Sequence, residues 1–199
     1  MVIDKTIRAA AKEHRKNTVV WNDILVPGSV PFLEQLLKGE IDPFYIDEIL
    51  TEIWSEYVRA DLPYQQLEIV RRRAKNLQDD ILVKLALADQ LSHLGVNSVE
   101  HSKEAKDLIV EVVAAARERN EWLRYSLSEQ ARIGARLNDP EMFVSALQGL
   151  MADIKSGREF EVDSGIFGEL VDGIPSGFCN PEMVKNYREL IEEFGSSAA

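Results

Sequence analysis

Cysteine is almost missing from this chain, with Cys179 standing alone among 199 residues. A single thiol can close no intrachain disulfide and build no thiolate cluster for zinc, so a disulfide scaffold and a cysteine-based zinc fold are both excluded. A reducing compartment, by default the cytoplasm, is the expected setting. Long hydrophobic runs are lacking too. No window reaches the roughly 18 to 20 uncharged apolar residues that a membrane-crossing helix needs, so no membrane partner is expected. The opening MVIDKTIRAAAKEHRKN scatters charge where a secretory signal would carry an apolar stretch. Histidine is scarce: His14, His93 and His101 form no i, i+4 pair, no HExxH and no Glu-x-x-His, which leaves a helix-borne zinc or di-iron site without a nucleus. Segments of the form GxxxxGK[ST], GxGxxG or GxSxG are absent, and with them the phosphate cradle and the nucleophile elbow. No cofactor and no metal are therefore expected. Positive charge is in deficit, 23 basic against 34 acidic side chains for a formal net charge of −11, which repels a phosphate backbone and argues against nucleic acid as a partner.

What the chain does contain is ordinary globular material, 45% hydrophobic and 29% charged, laid out with the 3.6-residue period of helices. Three helix starts share one chemistry. In Asp42-Pro43, Asp139-Pro140 and Asn180-Pro181 a short polar side chain can accept from orphan backbone N–H groups, and the proline after it sits where its missing donor costs nothing. Ser29, ahead of Pro31, and Asp61, ahead of Pro63, read as looser versions of the same signal. The pattern predicts helices at about 2–16, 30–38, 43–59, 63–77, 80–94, 100–119, 121–137, 140–155, 164–172 and 181–194. Thr18-Val19-Val20-Trp21 is β-favouring but short and without an evident partner, so it reads as an extended connection. Leu123, Leu127, Ala131, Gly134 and Leu137 cluster on one side of their helix, where the small residues let a neighbour approach closely.

Helix pairs recur at about 43–79, 80–121 and 122–163. Neither member of such a pair can bury its apolar face alone, so stacking is the natural solution. The expected fold class is all-α: stacked antiparallel helix pairs forming a right-handed αα-superhelix, with an irregular helical bundle as the alternative. One domain over 1–199 is expected, with an N-terminal helical segment 1–28, the pairs, and C-terminal capping helices 164–199. The last pair resembles the tetratricopeptide-like helical-repeat family, with Ile133-Gly134, Leu137, Ala146 and Leu150 at the spacing of that family's Leu-Gly, Tyr, Ala and Phe positions. Its next small-residue position holds Asp153, a departure. In the middle pair Leu87-Ala88 and Leu91 match, but Ala105 arrives five residues late because Gly95 to Ser102 lengthen the turn, and the first pair lacks the small residues.

Among candidate sites, Cys179 lies beside a helix start but has no assigned base, and carboxylate pairs such as Glu48/Glu52 arise by chance in so acidic a chain. Arg71, Arg72, Arg73 and Lys75 complement the negative end of their helix dipole. The series Arg124, Ser128, Arg132, Arg136 is spaced by four, so its three guanidiniums sweep one ridge opposite the apolar stripe. In the tetratricopeptide-like family the first helix of each pair lines the concave groove. The resemblance thus implies Arg124, Arg132 and Arg136 as partner-binding residues for an acidic peptide end or an acidic partner surface; otherwise they form a solvated face paired with Glu118, Glu121 or Glu129. The expected function is a non-enzymatic protein–protein interaction module, a scaffold or adaptor. A small acidic chaperone and, further off, an enzyme with a scattered site are the alternatives. Trp21, Phe32, Phe178 and Phe194 can cap the stack or support a homodimer.

Overall fold

Pro43, Pro63 and Pro140 each open a helix, as their fixed φ and missing N–H dictate. A computed structural model of the chain describes residues 5–39, 43–156 and parts of 181–189. Its elements run α1 (Lys5–His14), β1 (Thr18–Trp21), β2 (Ile24–Pro27), α2 (Ser29–Leu37), α3 (Pro43–Arg59), α4 (Pro63–Asn76), α5 (Ile81–Gly95), α6 (Val99–Arg119), α7 (Leu123–Arg136) and α8 (Pro140–Lys155). Residues 181–183, 185–186 and 188–189 are also helical. The expected helix at 164–172, Cys179, Phe178 and Phe194 lie outside the described residues. The chain is mostly helical and divides into two compact units, Met1–Val83 and Lys84–Ala199. No described helix is long and apolar enough to cross a membrane.

In the first unit the expectation of an extended connection at 18–21 is corrected. Thr18–Trp21 pairs antiparallel with Ile24–Pro27, Trp21 opposite Ile24 and Thr18 opposite Pro27. The physical reason is the loop. Asn22 and Asp23 both take left-handed φ, 48° and 64°, and two such residues make the tight turn whose twist matches a hairpin. The hairpin turns Val19, Trp21, Ile24 and Val26 onto a core of Val30, Leu33, Ile49, Leu50, Ile53 and Ile69, and leaves Val20 and Leu25 exposed. Gly28 is required where the strand leaves the sheet. Its N–H donates to the Asn17 carbonyl at 2.7 Å, and a Cβ there would fall 2.7 Å from the His14 carbonyl oxygen. Two expected caps are also corrected. Gly28, not Ser29, is the N-cap of α2, and Leu62, not Asp61, that of α4, neither with a side-chain bond; Asp61 instead takes φ 53° to reverse the chain.

Arg72 and Arg73 do more than complement a dipole. Arg72 bonds Glu34 of α2 through both terminal nitrogens, at 2.6 and 3.2 Å, and Arg73 grips Asp47 of α3 at 2.8 and 3.1 Å. Forked pairs of this kind fix orientation as well as charge. Phe32 stacks on His14 with ring centroids 4.6 Å apart, so that aromatic is occupied inside its own unit.

In the second unit the pairs run antiparallel, as the contacts at their two ends establish. Lys84 of α5 reaches Glu111 of α6 at 2.9 Å, while Gly95 lies against Ser102. Arg124 of α7 pairs with Asp153 of α8, while Gly134 lies against Phe143. Val113, Leu127, Ala131, Phe143, Ala146, Leu147 and Leu150 form the core. Of the repeat-like positions, Ile133, Gly134, Ala146 and Leu150 are buried and Leu137 is half-buried.

Asp139 starts α8 as its sequence requires. Its carboxylate accepts from the Met142 N–H at 3.0 Å and from the Lys106 ammonium at 2.7 Å, and these bonds, Lys106 first, hold its pKa below the usual carboxylate range. A depressed native pKa means the contribution is complete above the unfolded pKa of about 4 and disappears as the pH falls through the native value. Asp139→Ala is therefore expected to cost about 1 kcal/mol at pH 7. Urea unfolding of both proteins should show the difference shrinking as the pH drops below about 4; a pH-independent difference would rule the capping carboxylate out as its cause.

Candidate functional site

Helix α7 carries the arginine series, and its surroundings differ from those of an outer ridge. Residues Ser126 to Ala131, with Ile133 and Gly134, are buried, so the helix is enclosed on most of its circumference. Arg124 is sunk deepest, its side chain 14% exposed and paired with Asp153, itself 9% exposed. Ser128 is buried and donates its hydroxyl hydrogen to the Arg124 carbonyl at 2.9 Å. Arg132 and Arg136 lie nearer the surface. Arg132 bonds Glu129 at 2.9 Å, as expected for one of its three candidate partners, and Arg136 reaches across to α5, where it bonds Asp89 at 2.8 Å and the Ser92 hydroxyl.

Tyr125, Glu129, Arg132 and Arg136 follow one another at three- and four-residue steps and so share one stripe. Opposite it α5 supplies Asp89, Ser92 and His93 at i, i+3 and i+4. The result is a mixed cluster of two carboxylates, two guanidiniums, a phenol and an imidazole. Burial raises the Glu129 carboxyl above its ordinary pKa, with Asp89 adding to the rise and Arg132 opposing it. Burial lowers His93, and the Arg136 charge lowers it further, against Asp89. The imidazole is accordingly neutral near pH 7, and its 3.7 Å approach to Asp89 is polar rather than ionic. Burial also raises the phenol of Tyr125, which stays an un-ionised donor.

One turn ahead of Tyr125 the backbone is strained. Trp122 precedes α7 in the left-handed region, φ 56°, a conformation that costs a bulky side chain on the order of 1–2 kcal/mol. The residue is nonetheless 55% exposed. The chain reaches this point because Asn120 ends α6 in the same left-handed region, a role asparagine tolerates well. The sequence points to Arg124, Arg132 and Arg136, and to Glu129 as a pairing partner, but not to Trp122, Tyr125 or Asp89. His93 joins this cluster, whereas His101 belongs to the start of α6, where its N–H donates to the Ser98 hydroxyl at 3.3 Å. Among the described residues no group of three or more His, Cys, Asp or Glu is placed to hold a metal ion. Comparisons with protein-family models, with curated proteins and with solved structures found no match to this chain.

Proposed function

We propose that this protein is a non-enzymatic interaction module, its helix pairs stacked in a tetratricopeptide-like manner, that docks an acidic surface of a partner protein on Trp122 and the Tyr125–Arg132–Arg136 stripe. The observation that carries the reading is Trp122, a large aromatic residue that stays exposed at a left-handed backbone position. Strain of this kind persists where function uses it. Its neighbours support the reading, because tryptophan, tyrosine and arginine are the residues that dominate binding energy in protein interfaces. The internal bonds of Arg132 and Arg136 suit the role as well. A guanidinium carries five N–H donors, so a carboxylate on the same chain can orient the fork while other donors face outward.

The test uses the full chain. Trp122→Gly relieves the left-handed strain, so the folded protein should be as stable as the parent or slightly more so. Recovery of the partner from the protein's own cells should nevertheless fall by at least about tenfold, and Arg132→Glu with Arg136→Glu should abolish it. Equal recovery by the Trp122→Gly protein, folded and at the same concentration, would end the proposal.

A further inference from the structure

The first unit holds a cavity of about 440 Å³ bounded by the hairpin, α2, α3 and α4. Its walls combine two aromatic rings, Trp21 and Tyr57, with the charges of Glu34, Lys38, Glu68 and Arg72. These charges are not equivalent. Arg72 is committed to Glu34 by its two-pronged bond, so that pair is neutral as a whole. Glu68 is exposed and has no cationic partner among the described residues. Lys38 is exposed too, and it caps the end of α2, from which its flexible stem carries the ammonium to 5.8 Å from the Trp21 ring centroid. An indole face attracts a cation through its quadrupole, and at this distance the attraction is real. The chain's own lysine thus marks where a positive charge is held in the cavity.

At the Tyr57 end of the cavity the field has the matching sign. The Tyr57 phenol is buried and pushed up to about 12, first by burial and then by Glu34 and Glu68, which outweigh Arg72. The phenol therefore stays neutral at every physiological pH and feels a net negative surrounding. An anion entering here would meet Glu68, a pre-paired Arg72 and the Lys38 ammonium; a cation that takes the place of Lys38 would meet Glu68 and two electron-rich rings. Ile24 and Ile69 add apolar surface suited to a hydrocarbon stem, beside the amides of Asn22 and Gln65.

We propose that this cavity binds an alkylammonium ion, its head over the Trp21 ring in place of the Lys38 ammonium, its charge faced by Glu68 and its stem against Ile24 and Ile69. Lys38 is then a tethered competitor that a ligand displaces, and its removal should tighten binding. The same head and stem occur in a free amine and in a lysine side chain, and the two sources are separable by experiment.

The probes are n-butylammonium, the isosteric butyrate, and Nα-acetyl-lysine methylamide, titrated into the full chain while the indole N–H resonance of Trp21 is followed by NMR. That resonance is assigned by its loss in Trp21→Phe. Butylammonium should shift it saturably and butyrate should not. Lys38→Ala should tighten butylammonium by between about two-fold and thirty-fold, the range spanned by exposed and desolvated cation–π contacts. Glu68→Gln, an exposed change that leaves the fold intact, should weaken it. Binding of the lysine derivative as well assigns the site to protein side chains; binding of butylammonium alone assigns it to small amines. An equal response to butyrate, no response to either amine, or unchanged affinity in Lys38→Ala would overturn the proposal.

Discussion

Replacing Arg15 with alanine is expected to cost about 3 kcal/mol of folding stability, because it strips the main partner from a carboxylate that has no access to water. Glu56 of α3 is 0% exposed. Its Oε1 accepts from Arg15 Nε at 2.6 Å and from Arg59 Nη1 at 2.9 Å and forms an ion pair with the Arg15 Nη2, while its buried Oε2 has no hydrogen-bond partner. The arginines are placed differently, with side chains 32% and 50% exposed, so either can turn to solvent if the carboxylate is lost. The asymmetry sets the order of the effects. Arg15→Ala leaves a buried negative charge held by one half-exposed arginine. Glu56→Leu removes the charge and fills the space with carbon, and should cost much less than Arg15→Ala or even stabilise. Combining the two should therefore recover most of the loss, a coupling that urea unfolding of the four proteins measures directly. A change below about 0.5 kcal/mol in Arg15→Ala would place Glu56 in water and sink the argument.

How much of this could be read from the residues depends on how local the signal is. Asp139-Pro140 marked the start of α8 because cap and proline are adjacent in sequence, and the α3 and α8 limits, Pro43–Arg59 and Pro140–Lys155, coincide with those expected. The hairpin is hard to read from the residues because its turn is Asn22-Asp23, without the glycine that usually announces such a loop, and because Pro27 and Gly28 close the second strand after only four residues. Both residues of the turn accept left-handed φ, and that was the available signal. The arginine spacing placed three guanidiniums on one face but could not reveal depth, since the carboxylates that meet them come from three different helices, Asp89 on α5, Glu129 on α7 and Asp153 on α8. Arg124 and Asp153 explain each other. The position that departs from the small residue of the helical-repeat pattern is filled by an acid because the facing helix supplies an arginine. Nothing local announces the strained Trp122 or the cavity beside Trp21, whose lining is drawn from a hairpin and three helices.

The small residues of α7 allow a close approach, and at Gly134 that approach sets the sign of a substitution. In an exposed helix Gly→Ala gains about 1 kcal/mol. Here a Cβ on Gly134 would stand 2.9 Å from the Phe143 amide nitrogen, 3.1 Å from the Asp139 carbonyl oxygen and 3.2 Å from the Phe143 Cα, all backbone atoms that cannot rotate away. The turn is tied down from both sides: the Asp139 N–H donates to the Gly134 carbonyl at 2.7 Å, and the Asp139 side chain caps α8. Making room means moving the start of α8, which would draw Phe143 out of the core it fills and disturb that cap. Gly134→Ala should therefore destabilise by about 3 kcal/mol, the opposite sign to propensity alone. Gly149, on the other helix of the same pair, is the internal control, since a Cβ there would meet only the Leu127 side chain, closest at 3.0 Å from its mobile Cδ2. A flexible branch end can give way, so Gly149→Ala should lie within about 1 kcal/mol of the parent. If urea unfolding ranks the two variants equally, or finds Gly134→Ala the more stable, then α7 and α8 do not meet backbone to backbone at this glycine.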